Sequence, residues 1–241
     1  MAGTQLIGEF QQGRLLVKLR TLFSITNRNS NRQANQSDTK PTMKLNASDL
    51  DAQQAYKLMT AVVVPRPIAW VSTLSATGVS NLAPFSYFTS VSNKPPMIGI
   101  NIGQEQRGRK DTATNILDTK EFVVNIGNFA QVEDLHASAD HHPPEVSEIE
   151  LLGLKTVPSE YIAVPRLADA PVQMECRFDR MIPFGTAGSE FYVGEVIAFH
   201  VRDDLIDNNK IDSVALDPIC RLAGPFYAKL GEIVRMGSRV R

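Results

Sequence analysis

A short stretch near the middle of the chain combines clustered positive charge with residues that favour helix starts. It reads RGRKDTATNI, with Arg107, Arg109 and Lys110 directly before Asp111 and Thr112. Asp and Thr are good helix-capping residues, and a helix start offers N–H groups and a partial positive charge. The preceding Arg-Lys pair adds charge-assisted donors, so the stretch predicts a phosphate site. A solvated charged loop before an ordinary helix is the alternative.

A second stretch is rich in small residues and in hydroxyl and amide side chains. After the apolar run IAWVSTL the chain reads VSNLAPFSYFTS, which lacks the bulk of a strand that only packs a core. Small residues let a flat ligand approach the backbone, and Asn and Ser can match the edge of a heteroaromatic ring. The polar side chains that could do so are Ser72, Thr73, Asn81 and Ser86. A polar strand at the rim of a barrel is the alternative.

One loop has the residue types of a metal site, namely His136, Asp140, His141 and His142. Adjacent His side chains often point apart, and the following Pro143-Pro144 indicates an exposed loop. We therefore expect a surface turn and no metal site, although these residue types can bind zinc.

The remaining His and Cys residues form no arrangement suited to nucleophilic catalysis. His200 lies in a predicted strand and is expected to be packed, not catalytic. Cys176 and Cys220 match no metal spacing and no disulfide framework, so we expect buried thiols in a reducing compartment.

Most of the secondary structure that the sequence predicts around these residues is β-strand. Apolar runs bounded by Pro, Gly and Asn or Asp predict strands over IAWVSTL, MIGINI, EFVVNI, PVQMECRFDRMIPF and EFYVGEVIAFHVRDD. Gly194 within the last run predicts a β-bulge or a close backbone approach. Helices are expected from a Ser48–Asp51 capping box to Met59, and from Asp111 to Asp118. Many strands with few helices favour a closed antiparallel barrel with appended helices.

Composition and charge narrow the class of protein. The chain has 241 residues, of which 43% are hydrophobic and 21% charged, and its formal net charge is −1. These values are ordinary for a globular protein and give no reason to expect a nucleic-acid partner. No apolar run reaches the length of about 18 residues that a membrane-spanning helix needs, so we expect no membrane partner and a cytoplasmic location.

Residues 1–42 differ from the rest of the chain. They contain six Lys or Arg residues, and their acidic residues are Glu9 and Asp38. The segment resembles an organellar targeting peptide or a disordered extension, and we interpret it as an extension with Met43 as the working start. Residues 43–241 then form one domain with 19 basic and 24 acidic side chains.

The longer pattern resembles a known family. PRPIAWVSTLSATGVSNLAPFSYFTSVSNKPPMIGINIG, followed by RKDTATNILDTKEFVVNI, is similar to the flavin reductase-like family. The similarity continues through SADHHPPEVSEIELLGLKTVPS, ADAPVQMECRF, FYVGEVIAFHVRDD and RLAGPFYAKLGE, and so covers most of residues 43–232. It implies a mainly β fold with appended helices, an antiparallel, Greek-key-like split β-barrel that binds FMN and forms a homodimer.

The resemblance also implies which residues contact the cofactor. The residues expected to face the flavin are Ser72, Thr73, Asn81, Ala83, Phe85 and Ser86. Those expected to hold the FMN phosphate are Arg109, Lys110 and Thr112. Arg66, in the Pro-Arg-Pro element, and Tyr227, in the closing Arg-x-x-Gly-x-x-Tyr element, are expected to line the pocket.

The implied activity is an NAD(P)H-dependent flavin reductase, with NADH or NADPH as donor and a small-molecule acceptor. Because the flavin carries the chemistry, no catalytic side chain is expected. Many relatives that use a nicotinamide donor carry a His before the Val-Gly-Glu-Val element, where this chain has Ser189 and Glu190. This departure favours the alternative of a flavoredoxin-like FMN carrier that exchanges electrons with a protein partner. A pyridoxamine-phosphate oxidase-like enzyme matches the motifs less well.

Overall fold

The computed structural model describes residues 40–105 and 108–237, and the fold lies in the unit Leu45–Arg241. Of the extension predicted over residues 1–42, residues 1–39 lie outside the described residues. Arg107 of the predicted phosphate site is also outside them. No helix in the described part of the chain is both long and apolar enough to cross a membrane.

Helices are short and few. The α-helices are α1 (Ala52–Val62), α2 (Asp111–Thr119), α3 (Val132–Ala137), α4 (Glu148–Leu151) and α5 (Ser213–Leu216). Single 3₁₀ turns cover Ala47–Asp49, Phe129–Gln131 and Asp203–Leu205.

Strands make up most of the regular structure. They are β1 (Arg66–Pro67), β2 (Ala69–Leu74), β3 (Ser80–Phe85), β4 (Phe88–Asn93), β5 (Pro96–Gly103), β6 (Glu121–Ile126), β7 (Thr156–Val157), β8 (Arg166–Leu167), β9 (Val172–Phe184), β10 (Ser189–Val201), β11 (Ile206–Asp207), β12 (Lys210–Ile211), β13 (Cys220–Arg221) and β14 (Tyr227–Ala228).

Seven strands form one antiparallel sheet in the order β3-β2-β6-β9-β10-β5-β4. Its centre is the hairpin of β9 and β10, two strands of 13 residues each. The order begins at β3 and ends at β4, and no ladder joins these two strands within the described residues. The predicted mainly β, antiparallel arrangement is therefore confirmed.

Strand β2 is buried along almost its whole length because both of its faces are covered. Val71 packs in a cluster with Ile116 of α2, whereas Trp70 packs in a second cluster with Leu82 of β3. The indole Nε1 of Trp70 donates to Ser138 Oγ at 2.8 Å, which satisfies a polar atom inside the second cluster. Strand β2 thus fixes both α2 and the loop after α3 relative to β3.

Gly194 lies at the close backbone approach that the sequence predicts, beside a β-bulge whose extra residue is Asp179 of β9. The register of β10 against β9 shifts between Val193 and Gly194. A Cβ atom at Gly194 would lie 2.4 Å from Cζ of the fully buried Phe122. The close approach of the backbone to this ring explains why the position has no side chain.

The capping box of the first helix is displaced from its predicted position. Ser48 lies in a 3₁₀ turn, and the N-cap of α1 is Asp51. Asp51 Oδ1 accepts from the backbone N–H of Gln54 at 2.7 Å, and Gln54 Oε1 accepts from the N–H of Asp51 at 3.0 Å. The prediction at Ser48 was wrong because Asp51 has an equally suitable partner three residues further on.

Candidate functional site

Four parts of the fold meet at a cleft of about 210 Å³, here called the helix-start pocket. They are β3, the loop that enters α2, the loop after α3, and α4. The pocket is lined by Asn81, Ala83, Glu105, Arg109, Lys110, Asp111, Thr112, Ser138, Ala139, Asp140, His141, His142, Pro144 and Glu148.

A buried network of amide and hydroxyl groups holds one wall of this pocket. Thr73 Oγ1 accepts from Asn115 Nδ2 at 3.0 Å and from Asn81 Nδ2 at 3.3 Å. Asn81 Nδ2 also donates to Oγ1 of Thr112 at 2.9 Å. Because the Thr112 oxygen acts as acceptor there, its hydroxyl hydrogen can be donated to an acceptor in the pocket.

The start of α2 faces the same pocket without a side-chain cap. Lys110 occupies the N-cap position with extended backbone angles, and its side chain makes no capping hydrogen bond. The predicted caps, Asp111 and Thr112, are instead the first residues inside the helix, so that prediction was wrong. A Lys side chain has no acceptor atom, so it leaves the helix start suited to an anion.

Arg109 forms an ion pair with Glu190, a partner that the sequence does not predict. Its Nε donates to Glu190 Oε2 at 2.9 Å and its Nη2 donates to Oε1 at 2.8 Å. The buried Tyr192 hydroxyl donates to Glu190 Oε2 at 2.6 Å. The hydrogen bonds from Arg109 keep the pKa of Glu190 below its usual range, although burial acts in the opposite direction.

Glu105 and Glu148 are two of the four acidic residues that line the helix-start pocket. Glu105 Oε1 is 3.4 Å from Lys110 Nζ and 3.1 Å from His141 Nδ1. Glu148 is buried and its Oε2 accepts from the backbone N–H of Leu82 at 2.9 Å. Burial raises the pKa of Glu148, because the charged form loses hydration there. Neither carboxylate had a local signal in the sequence that pointed to the pocket.

A second, larger cavity of about 570 Å³ adjoins the other end of β3 and is here called the arginine pocket. Its lining includes Pro84 and Ser86, and Ala139 lines both pockets. The complete lining is Gln53, Tyr56, Lys57, Thr60, Arg66, Ile68, Pro84, Ser86, Leu135, Ala139, Arg221, Leu222, Ala223, Gly224 and Tyr227.

Eight of the predicted site residues line one of the two pockets. In the helix-start pocket these are Asn81, Ala83, Arg109, Lys110 and Thr112. In the arginine pocket they are Arg66, Ser86 and Tyr227. The donors of the first group suit a phosphate ester, since they combine two cations, a hydroxyl and an uncapped helix start.

The other three predicted residues lie inside the protein. Ser72 is fully buried, and its hydroxyl donates to the carbonyl oxygen of Pro165 at 2.8 Å. Thr73 is equally buried and acts through the network described above. Phe85 belongs to the core cluster. None of these three residues lines either pocket.

The His-rich loop is not gathered around one point. His136 Nδ1 lies 3.0 Å from the Tyr227 hydroxyl, whereas His141 pairs with Glu105. Within residues 40–105 and 108–237, no three His, Cys, Asp or Glu side chains are close enough to share a metal ion.

The sequence predicts that His200 is packed and that both cysteines are buried. His200 lies on β10, and its Nε2 is 2.7 Å from Oε1 of the fully buried Glu175. Cys176 and Cys220 are free and buried, as predicted, and burial raises the pKa of both thiols.

Comparison with known proteins agrees with the fold. The family described as "Flavin reductase like domain" matches residues 59–215. An uncharacterized protein of Halalkalibacterium halodurans is 44% identical over 195 residues, which cover 79% of this chain and 93% of that protein.

Solved structures of similar proteins have the same fold. Nitrilotriacetate monooxygenase component B from Bacillus cereus has a TM-score of 0.80 at 37% identity, over 82% of this chain and 100% of that chain. A structure with a split barrel domain from Shewanella frigidimarina has a TM-score of 0.73 at 19% identity, over 82% and 100% of the two chains, and bears on the fold alone. With the sequence match over residues 59–215, these similarities show that this chain belongs to the flavin reductase-like family and has its split β-barrel fold.

Proposed function

We propose that this chain is an FMN-binding oxidoreductase that passes hydride from NADH or NADPH to FMN. The observation that carries the proposal is the helix-start pocket, where the cationic entry to α2 meets Asn81 and Ala83 of β3. Membership of the flavin reductase-like family supports the choice of a flavin as the ligand.

The phosphate of FMN would bind at the start of α2. Lys110 would supply a mobile positive charge, and the Thr112 hydroxyl would donate a hydrogen bond from a position fixed by Asn81. Arg109 would contribute mainly through its charge, because two of its nitrogens already bind Glu190. A dianion is favoured at such a helix start by the dipole and by charge-assisted hydrogen bonds.

The flavin ring would lie along the end of β3 towards the arginine pocket. Small or backbone-exposing residues, Ala83, Pro84 and Ser86, form that edge. Arg66 and Tyr227 line the cavity beyond it. When bound, FMN supplies the redox chemistry by accepting hydride at N5, and the protein binds the ring and excludes water.

The interior residues would support this site indirectly. Thr73 fixes Asn81 and Asn115 on the two elements that form the pocket wall, and Ser72 ties β2 to the loop before β8. We therefore assign both residues a positioning role.

One observation favours an FMN-containing electron carrier as the second candidate. At the strand entry where many nicotinamide-dependent relatives carry a His, this chain has Ser189 and Glu190, and the Glu190 carboxylate accepts hydrogen bonds from Arg109 and Tyr192. Such a carrier would receive electrons from a protein partner and would not oxidise NAD(P)H itself.

We also propose a homodimer, with α1 at the interface. Thr60 is the one residue of α1 that is buried, whereas Tyr56, Met59 and Val62 are between 53% and 71% exposed. The C-terminal segment adds exposed apolar residues, including Ile233 and Val234. An exposed apolar surface of this kind is typical of an interface, and a second copy would cover it. The cytoplasmic location expected from the sequence stays a prediction.

The test of the proposed function is a pair of titrations followed by turnover. Purified protein is titrated with FMN and with riboflavin, which lacks the phosphate, and flavin fluorescence is followed. We expect FMN to bind at least about a hundredfold more tightly, the contribution of two charge-assisted hydrogen bonds. Equal affinity for the two flavins would contradict the phosphate assignment. Steady-state oxidation of NADPH and NADH with added FMN then separates a reductase from a carrier, since a carrier shows no turnover.

A further inference from the structure

The two pockets differ sharply in charge. Among the residues that line the helix-start pocket, the cations Arg109 and Lys110 are accompanied by the acidic residues Glu105, Asp111, Asp140 and Glu148. The lining of the arginine pocket contains the cations Lys57, Arg66 and Arg221 and no acidic residue. The larger cavity is therefore the more positive one.

Arg66 is a buried cation whose partners are all uncharged. It is 5% exposed, and its Nη1 donates to the carbonyl oxygens of Thr60 and Val63 at 2.6 and 2.8 Å. Its Nη2 donates to the Leu222 carbonyl at 2.9 Å, and its Nε donates to Ser86 Oγ at 3.2 Å. The first two carbonyls lie at the C-terminal end of α1, which offsets only about half an elementary charge.

A second arginine stands directly beside the first. Arg66 on β1 and Arg221 on β13 are antiparallel partners in register. Arg221 donates to the Tyr227 hydroxyl and to the Gly224 carbonyl, and its guanidinium lies 4.6 Å from the Tyr227 ring centroid. None of the ion pairs among the described residues involves either arginine.

Two like charges opposite each other are destabilising, and a buried charge without a counter-charge is more so. Such an arrangement beside a cavity is explained if an anion occupies the cavity when the protein works. Arg66 uses four of its five N–H donors in hydrogen bonds to the protein, so it would act mainly through its charge, and Arg221 and Lys57 remain as groups that a ligand can reach. This modest set of donors suits a monoanion better than a phosphate dianion.

The rest of the lining indicates an organic ligand with a flat apolar body. Ile68, Leu135 and Leu222 supply aliphatic surface, and Tyr56 and Tyr227 supply aromatic surface. The cavity volume of about 570 Å³ falls in the usual range for small-molecule sites. We propose that the arginine pocket binds a small aromatic carboxylate. The binding of this ligand does not depend on the proposed function. A role as a substrate that reacts at the flavin does rest on the proposed function.

The experiment compares benzoate with benzamide, a neutral molecule of nearly the same shape. Calorimetric titrations are run on the FMN-loaded protein and in parallel on the FMN-free protein. We expect benzoate to bind at least about tenfold more tightly than benzamide, and added salt to weaken benzoate binding alone. Equal affinities, or no binding of benzoate, would overturn the proposal.

Two substitutions in the arginine pocket and one control outside it test whether benzoate binds there. Arg221→Gln should abolish the preference for benzoate, and Lys57→Gln, on the exposed surface of α1, should reduce it without disturbing the fold. Lys155→Gln removes an exposed cation outside both pockets and should leave the preference unchanged. A preference that survives both pocket substitutions would refute the site. Failure of the proposed function appears separately, as a protein that retains no FMN but still prefers benzoate.

Discussion

Arg109 and Lys110 show how neighbouring residues of the same charge can differ in what they are able to bind. Arg109 has a bidentate pair with the buried carboxylate of Glu190. Lys110 is only 3.4 Å from Glu105, and its side chain is 37% exposed. A long flexible ammonium group with one ion-pair partner at 3.4 Å can turn to a ligand more easily than a guanidinium held by two hydrogen bonds. At the residue scale, we therefore expect Lys110 to be the main anion-binding cation of the helix-start pocket.

Lys110→Ala and Thr112→Ala should each weaken FMN binding. Each removes a charge-assisted hydrogen bond to the phosphate, which is worth about 1.5–3 kcal/mol. Fluorescence titration with FMN measures the change, and Lys155→Ala, at an exposed position outside the pocket, is the control. If both variants hold FMN as tightly as the wild type, the phosphate does not bind at this helix start.

Glu148→Gln should have the opposite effect. The Gln side chain can still accept from the N–H of Leu82, but it removes a buried negative charge from the pocket. We expect FMN to bind about fivefold more tightly, on the order of 1 kcal/mol, because the phosphate is repelled less. Glu150→Gln, on the exposed side of the same helix, is the matched control.

The difference in FMN affinity between the wild type and the Glu148→Gln variant should change with pH in a defined direction. The pKa of Glu148 is raised in the folded protein, so the cost of its charge is present above that pKa and disappears as the pH falls through it. The wild type should therefore approach the Glu148→Gln variant in FMN affinity at acid pH. A gap that widens on acidification would contradict this account of Glu148.

At the scale of elements, the pair of Arg109 and Glu190 joins the loop that enters α2 to strand β10. The buried carboxylate also accepts from Tyr192 two residues further along the strand. The connection fixes the position of the helix start relative to the central hairpin, and it spans 81 residues of sequence.

Glu190→Gln should lower the free energy of unfolding at neutral pH by about 1 kcal/mol, a discounted value because Arg109 is partly exposed. Since the folded-state pKa of Glu190 is lowered, its contribution is present above the unfolded-state pKa and is lost as the pH falls through the folded-state pKa. The difference between wild type and variant should therefore shrink in acid. Urea unfolding at neutral and acid pH measures it, and a difference that does not change with pH would rule out the charged pair as its source.

The elements themselves could be predicted where the signal is local. The strand EFVVNI occupies Glu121–Ile126 as expected, and α2 begins at Asp111, because turn residues and apolar alternation mark both within a few positions. The cap of α1 could not be fixed, since Ser48 and Asp51 both fit the same local pattern.

The site was less predictable than the elements, for a physical reason. The resemblance implies that Ser72 and Thr73 face the flavin, whereas both faces of β2 are covered and bury the two side chains. Glu148 reaches the helix-start pocket, and Glu190 reaches Arg109, from distant parts of the chain, and such contacts leave no local pattern. Arg109, Lys110 and Thr112 could be placed together from the sequence because they are neighbours at one helix start, and their binding of a phosphate stays a prediction.

At the scale of the whole molecule, we expect a dimer that covers α1. Met59→Asp and Val62→Asp place charges on exposed apolar positions of the helix, so they should shift the mass in solution from two copies to one. Val214→Asp, at a 60% exposed position on α5, is the control. Light scattering coupled to size-exclusion chromatography gives the mass, and a monomeric wild type would contradict the proposed dimer.

We expect this split barrel to bind FMN and to reduce it with a nicotinamide donor. The decisive measurement is the anaerobic visible spectrum of the FMN-loaded protein, recorded before and after NADPH and then NADH are added. We predict rapid bleaching of the flavin band by at least one nucleotide, which also identifies the donor. A flavin band that survives both nucleotides but falls with dithionite would contradict the reductase and would indicate an electron carrier with a protein donor.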